Sequence, residues 1–402
     1  MQNDSQTLSV LANRSEGYRT AARAFRKTLA AAVTLLAASA CNAPAMPSSG
    51  DAANTASLSR YARPPRRPAD TTSILKLLTT DVAIGSTVDT GNGDKGPRGL
   101  SIANGSPHGK LTKGQLVVCN FEDATGKAGA GTTIEALNPA PSSSPSRFIQ
   151  DSRIKGCDGA GIHPKDGTVY AAGLTSGMIA VISKKGGVQK VYRGKALDDP
   201  FWDIVADPQQ TFSPLYVYVG TTSGGIVSIS VGFYGNGRAI EVAKGFAVSQ
   251  GSQGELAPSG LQYDPAIDTL YIVDGKSNTV VAFSNASYLL DKDEIVVQPG
   301  GTTFKCKHPK TTCGSLVYSG SPLDAPMASA LLPNGNLIVA NTQGTANMLV
   351  ELTPQGQVLD TKVVDQSATQ GVFGLVAAGK SDATTVLFYA DTNSNAIHEL
   401  EQ

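Results

Sequence analysis

Short apolar runs return along the chain at a nearly constant interval. They are Arg98-Gly-Leu-Ser-Ile-Ala103, Asp158-Gly-Ala-Gly-Ile-His163, Trp202-Asp-Ile-Val-Ala-Asp207, Ser259-Gly-Leu-Gln-Tyr-Asp264, Met327-Ala-Ser-Ala-Leu-Leu332 and Phe373-Gly-Leu-Val-Ala-Ala378. Each is followed by a second run richer in β-branched and aromatic residues, such as Tyr216-Val-Tyr-Val-Gly220 or Leu270-Tyr-Ile-Val-Asp274. After a polar or glycine turn comes a third, for example Met178 to Ile182, Thr279 to Phe283 or Met348 to Leu352. Runs of this length and composition, bounded by turn residues, read as strands. A fourth strand is legible at Val188 to Tyr192, Glu294 to Gln298 and Gln357 to Val363. Four strands per unit, repeating at about 55 residues, predict the blades of a propeller. The expected fold is all-β: a six-bladed β-propeller of four-stranded antiparallel blades.

The sixth unit stops after its third strand, so the ring needs a donated strand. Ser73 to Thr79 stands just before the first unit and is expected to close it, removing the two edges an open array would expose. Two stretches exceed the repeat. Asn138 to Lys155 is expected to be a long loop, and Phe304 to Tyr318 a disulfide-closed hairpin between blades four and five.

Ahead of the repeats the pattern changes. Arg14, Arg19, Arg23, Arg26 and Lys27 precede an apolar run from Leu29 to Ala40. A basic segment, a short apolar segment and a small-residue junction describe a secretory signal peptide. The run is shorter than the roughly 20 residues that span a bilayer. Ala38-Ser-Ala-Cys41 resembles the lipobox of bacterial lipoproteins. That resemblance implies lipidation of Cys41, and Asn42 after it implies retention at the outer membrane, facing the periplasm. The expected organisation is a lipoprotein-type signal peptide over 1–40, a disordered Pro/Arg/Ala-rich tether over 41–72 and the propeller over 73–402.

The formal net charge of zero conceals this division. Residues 1–72 carry nine basic and four acidic residues, which leaves 24 basic and 29 acidic in the propeller. A mildly acidic domain tells against nucleic-acid binding, which needs a basic surface. The 43 glycines among 402 residues suit a fold made of tight turns. Beyond Cys41 there are four cysteines: Cys119, Cys157, Cys306 and Cys313. An even number in an exported chain suggests disulfides, and four cysteines allow three pairings. The favoured one joins Cys306 to Cys313, close in sequence, and Cys119 to Cys157.

The segment Pro258 to Phe283, with its Asp-Pro turn and Asp274-Gly-Lys-Ser-Asn278, resembles an NHL-type repeat, as does Tyr389-Ala-Asp-Thr-Asn-Ser-Asn-Ala-Ile397. The resemblance implies a propeller and leaves function open, because binding proteins, lyases and lactonases share that fold.

In such a ring the residues that start the first strands surround the channel mouth. Here they are Arg98, Asp158, Trp202, Ser259, Met327 and Phe373. A cation and a carboxylate beside aromatic side chains suit a small organic ligand. Trp202 equally suits packing between blades. The residues ending the second strands, Asn120, Gly173, Gly220, Asp274, Asn341 and Asp391, should lie nearby. Asp274, Asn341 and Asp391 are the weak metal candidates, with donors suited to Ca²⁺, although such residues ordinarily cap their own turns. In the related gluconolactonases a Glu, an Asn and an Asp hold a divalent ion at the channel; Arg98 stands where the Glu is expected. His108, His163, His308 and His398 are scattered without metal-ligand spacing, and no nucleophile elbow or phosphate loop occurs.

The expectation is a lipid-anchored cell-envelope propeller that binds a small-molecule or protein ligand at the channel face, as a monomer, with no cofactor and no assigned catalysis. The alternatives are a metal-dependent, lactonase-like hydrolase using Asp158, Asp274 or Asp391, and a purely structural scaffold.

Overall fold

Neighbouring inner strands touch all the way round a ring, and this closure organises everything else. The computed structural model describes residues 68–402, except 107, 164, 195–196, 198–200, 207–214, 232–236, 252–253, 368 and 370. The expected signal peptide, Cys41 and nearly all of the expected tether lie outside the described residues. Among those described, six antiparallel blades are formed.

From channel to rim, blade 1 is Lys95–Ile102, Leu116–Glu122, Thr133–Leu137 and Ser146–Gln150. Blade 2 is Cys157–Ile162, Val169–Gly173, Met178–Ile182 and Val188–Tyr192. Blade 3 is Phe201–Ala206, Leu215–Thr221, Gly225–Val231 and Ala239–Lys244. Blade 4 is Pro258–Asp264, Thr269–Asp274, Thr279–Ser284 and Cys313–Ser319. Blade 5 is Ala328–Leu331, Leu337–Ala340, Asn347–Leu352 and Val358–Asp365. Blade 6 is Val372–Ala378, Val386–Asp391, Ala396–Glu401 and the N-terminal strand Thr80–Ser86. Most of the core lies between blades: Val117 and Cys119 of blade 1 pack with Ala160 and Ala171 of blade 2, and Tyr218 of blade 3 with Leu261 and Ile272 of blade 4.

The ring closes as expected, but with different residues. Thr80–Ser86 pairs with Ala396–Glu401, whereas Ile74–Leu77 forms a one-turn helix. Ile74, Leu75 and Leu78 share one helical face and are fully buried against blades 5 and 6. The closing strand is a rim strand with mostly exposed residues, so apolar content points to the wrong segment. Contacts with the propeller begin before residue 73: the Asp70 carbonyl accepts a hydrogen bond from Asn336 of blade 5 at 3.1 Å.

Two further expectations are corrected. Asn138 to Lys155 contains the rim strand of blade 1, Ser146–Gln150, a short run that follows Pro139-Ala-Pro-Ser-Ser-Ser-Pro145 and buries only Phe148 and Ile149. Glu294 to Gln298 supplies no strand to blade 4. Ile295–Val297 runs parallel to Ala239–Lys244 and extends blade 3, with Phe304–Cys306 beyond it. Blade 4 takes Cys313–Ser319 as its rim strand instead.

Both favoured disulfides form. Each joins two neighbouring blades: Cys119–Cys157 links blades 1 and 2, and Cys306–Cys313 links the extension of blade 3 to the rim of blade 4.

Candidate functional site: the channel mouth

Backbone irregularity at the start of the inner strands builds this site. The ladder register slips between Pro97 and Leu100, Cys157 and Gly159, Phe201 and Asp203, Ser259 and Gln262, and Val372 and Gly374. Bulges of this kind turn a side chain away from the regular pleat. Arg98, Asp158, Trp202 and Phe373 all sit at these slips.

Glycines after the site residues let the strands converge. A Cβ on Gly99 would stand 2.5 Å from Gly159 Cα and 2.8 Å from the Asp158 carbonyl oxygen. A Cβ on Gly374 would stand 2.9 Å from Leu100 Cβ and 3.2 Å from the Arg98 carbonyl oxygen. Blades 6, 1 and 2 therefore approach backbone to backbone, which brings Phe373, Arg98 and Asp158 together.

Arg98 is 4% exposed, and its Nη1 donates to Asp158 Oδ1 at 3.1 Å. Its guanidinium carbon lies 3.7 Å from the Phe121 ring centre and 3.9 Å from that of Phe373, so the cation is held between two aromatic faces. Burial pushes the Asp158 carboxyl up and Arg98 pulls it back, leaving it at about 7. Phe121 is the member of this cluster that sequence reasoning missed. Its place directly after Asn120, at the end of a second strand, was the available signal.

Behind the mouth lies a channel cavity of about 220 Å³ whose lining includes Gly99, Asp158, Ala160, Ser259, Ser329 and Phe373. Several of its polar side chains are committed to the neighbouring blade. Ser101 Oγ donates to the Ala160 carbonyl, Ser329 Oγ to Gly260 O at 2.5 Å, and Gln262 Nε2 to Ser329 O at 2.8 Å. Asp158 Oδ2 and Ser259 Oγ are different. Both are buried and have no hydrogen-bond partner among the described residues. Met327 packs with Leu256 and Ala257, and Gln343 Nε2 approaches its sulfur at 2.7 Å. The side chain of Trp202 is outside the described residues.

The structure does not gather the metal candidates. Asp274 Oδ1 accepts the Lys276 and Ser277 amides of its own turn at 3.1 and 3.2 Å, and burial raises its carboxyl. Asp391 accepts the Asn393 and Ser394 amides, and Asn341 holds Asp324 N and Pro322 O. Asp274 Oδ2 has no partner among the described residues, but no three His, Cys, Asp or Glu side chains there stand close enough to share an ion. These donors, spread over three blades and bonded to their own loops, do not fit a single Ca²⁺ site.

No family model matches the chain, and no curated protein matches it. Solved structures do. A gluconolactonase from Xanthomonas campestris has 10% identity and a TM-score of 0.51, over 84% of this chain and 96% of its own. A catalytically inactive virginiamycin B lyase from Staphylococcus aureus, crystallised with quinupristin, has 15% identity and a TM-score of 0.47, over 80% and 85%. A nidogen/laminin complex gives 15% and 0.46, over 72% and 87%. At such identities the likeness is one of fold alone: the chain shares its propeller architecture with the gluconolactonase.

Proposed function

We propose that this protein is a lipid-anchored propeller of the cell envelope that binds a small organic ligand in its channel. The observation that carries this reading is the pair of buried, unpartnered acceptors, Asp158 Oδ2 and Ser259 Oγ, on the wall of the 220 Å³ cavity. A buried polar atom left unbonded costs about 1–3 kcal/mol, so a ligand that donates hydrogen bonds to both recovers that energy. A cavity near 150 Å³ accepts one benzene ring, so this one suits a compound of a single small ring or a short chain. Phe373 and Asp158 give the lining an aromatic side chain beside a carboxyl, which favours a planar, polar-edged molecule over a lipid tail.

Native mass spectrometry of the full chain from its membrane fraction tests the binding. A stoichiometric small molecule that is lost in the Asp158→Asn/Ser259→Ala variant is expected; an unadorned mass in both proteins overturns the reading. The anchor is tested separately. Palmitate labelling should require Cys41, and a labelled Cys41→Ser protein would place the lipid elsewhere.

A further inference from the structure

Outside the channel, blade 6 carries a second constellation, on residues that channel binding does not use. Ser394 is exposed in the turn that joins the second and third strands of the blade, and its Oγ lies 3.3 Å from His398 Nε2. The other ring nitrogen, His398 Nδ1, lies 3.1 Å from Asp81 Oδ1. Asp81 belongs to the N-terminal closing strand, 317 residues away in sequence. Its second oxygen accepts the Tyr389 hydroxyl at 2.6 Å, and the Tyr389 ring stacks on the imidazole with centres 4.9 Å apart. Tyr389 is buried. Both the carboxylate and the ring plane of the histidine are therefore fixed by a rigid neighbour.

We propose that Ser394, His398 and Asp81 form a serine-nucleophile site for acyl transfer from small activated esters, completed only when the ring closes. The order of contacts is the one this chemistry requires: nucleophile to base, then base to an orienting carboxylate. With the Nδ1 proton directed at Asp81, the Nε2 lone pair faces the serine hydroxyl. Ser394 Oγ also reaches Asp391 Oδ2 at 2.6 Å. When the hydroxyl turns to Nε2, Asp391 keeps the backbone donors of Asn393 and Ser394.

In the reaction, Ser394 Oγ bonds to the ester carbonyl carbon while its proton passes to His398 Nε2. The ester C–O bond breaks, and the alcohol leaves with that proton. Water then attacks the acyl-serine and gives a proton to Nε2. The acid departs as the proton returns to Ser394. Val372, which starts the inner strand, pairs with Asp391 just before the turn, so Ser394 opens on the same face as the channel mouth.

The test treats the full chain with a fluorophosphonate probe and maps the adduct by peptide mass, with p-nitrophenyl acetate turnover alongside. Ser367 is the internal comparison: it is exposed and bonded to Asp365 at 2.7 Å, but no histidine nitrogen is bonded to its hydroxyl. The expected result is an adduct on Ser394 that forms at least about tenfold faster than on Ser367. Ester turnover should fall by a similar factor in Ser394→Ala and His398→Ala, with melting unchanged. Asp81 is a positioning residue, so Asp81→Asn should lower kcat and leave KM in place. Equal labelling of Ser394 and Ser367, or full turnover in folded Ser394→Ala, overturns the proposal. Should that variant fail to fold, the relative labelling in the unmutated protein decides.

Discussion

Ser73 and Glu351, 278 positions apart, are joined by a 2.7 Å hydrogen bond from Ser73 Oγ to Glu351 Oε2. The same carboxylate accepts the amides of Ile74 and Leu75 at 3.2 and 2.9 Å, and Asn336 Nδ2 at 3.2 Å. A fully buried carboxylate in the third strand of blade 5 thus anchors the segment that leads into the closing strand.

Glu351→Ala leaves the Ser73 hydroxyl and two amides without this acceptor and removes one of the two acceptors of Asn336 Nδ2, which keeps the Asp70 carbonyl. Urea denaturation should show a loss of about 2–4 kcal/mol. Glu351→Gln, which keeps one acceptor oxygen, should lose less. Equal stability of all three proteins would show that the anchor contributes nothing to closure.

Arg98 and Asp158 should behave as a coupled pair. Arg98→Ala strands a buried carboxylate and removes a cation held between two rings, and should cost about 3–5 kcal/mol. Adding Asp158→Asn should restore part of that loss, so a double-mutant cycle reads the coupling. Additive losses would mean that the two side chains do not interact in solution.

Blade 1 contains a further perturbed carboxyl, Glu135. Burial, and Asp89 beside it, push Glu135 up to about 9, while Arg147, bound through both arms to Asp89, holds Asp89 well below the carboxylate range. The folded protein therefore binds the Glu135 proton more tightly than the unfolded chain. The stability this supplies is complete below the ordinary value of 4.5 and is lost as pH rises toward 9, at up to about 1.4 kcal/mol per pH unit. Glu135→Gln should remove that slope, so the variant should out-melt the parent by a margin that grows from pH 5 to pH 9. A constant margin would refute the shift.

The two disulfides should contribute unequally. The Cys119–Cys157 bond spans 38 positions and the Cys306–Cys313 bond 7. Loop entropy assigns them about 4 and about 2.5 kcal/mol. Paired Cys→Ala variants, compared by denaturant midpoint, check this order; the reverse order would show that inter-blade packing outweighs loop length.

The repeat, the blade count and the disulfide pairs were all legible in the chain, because strand alternation, turn residues and cysteine spacing are local and survive without neighbours. The six positions expected at the mouth each start a recognisable run, which is a local pattern too. What that run does not contain is the neighbour across the blade boundary. Three things depend on it: that Arg98 sits between Phe121 and Phe373, that Asp158 Oδ2 stays unbonded, and that Asp274, Asn341 and Asp391 remain apart. The closing strand was misplaced because a rim strand needs little apolar character, while the buried helix beside it needs much. Local pattern determined the architecture of this protein. Which side chains meet was decided by ring closure, which sets strands from different blades, and Asp81 and His398 from opposite ends of the chain, within bonding distance.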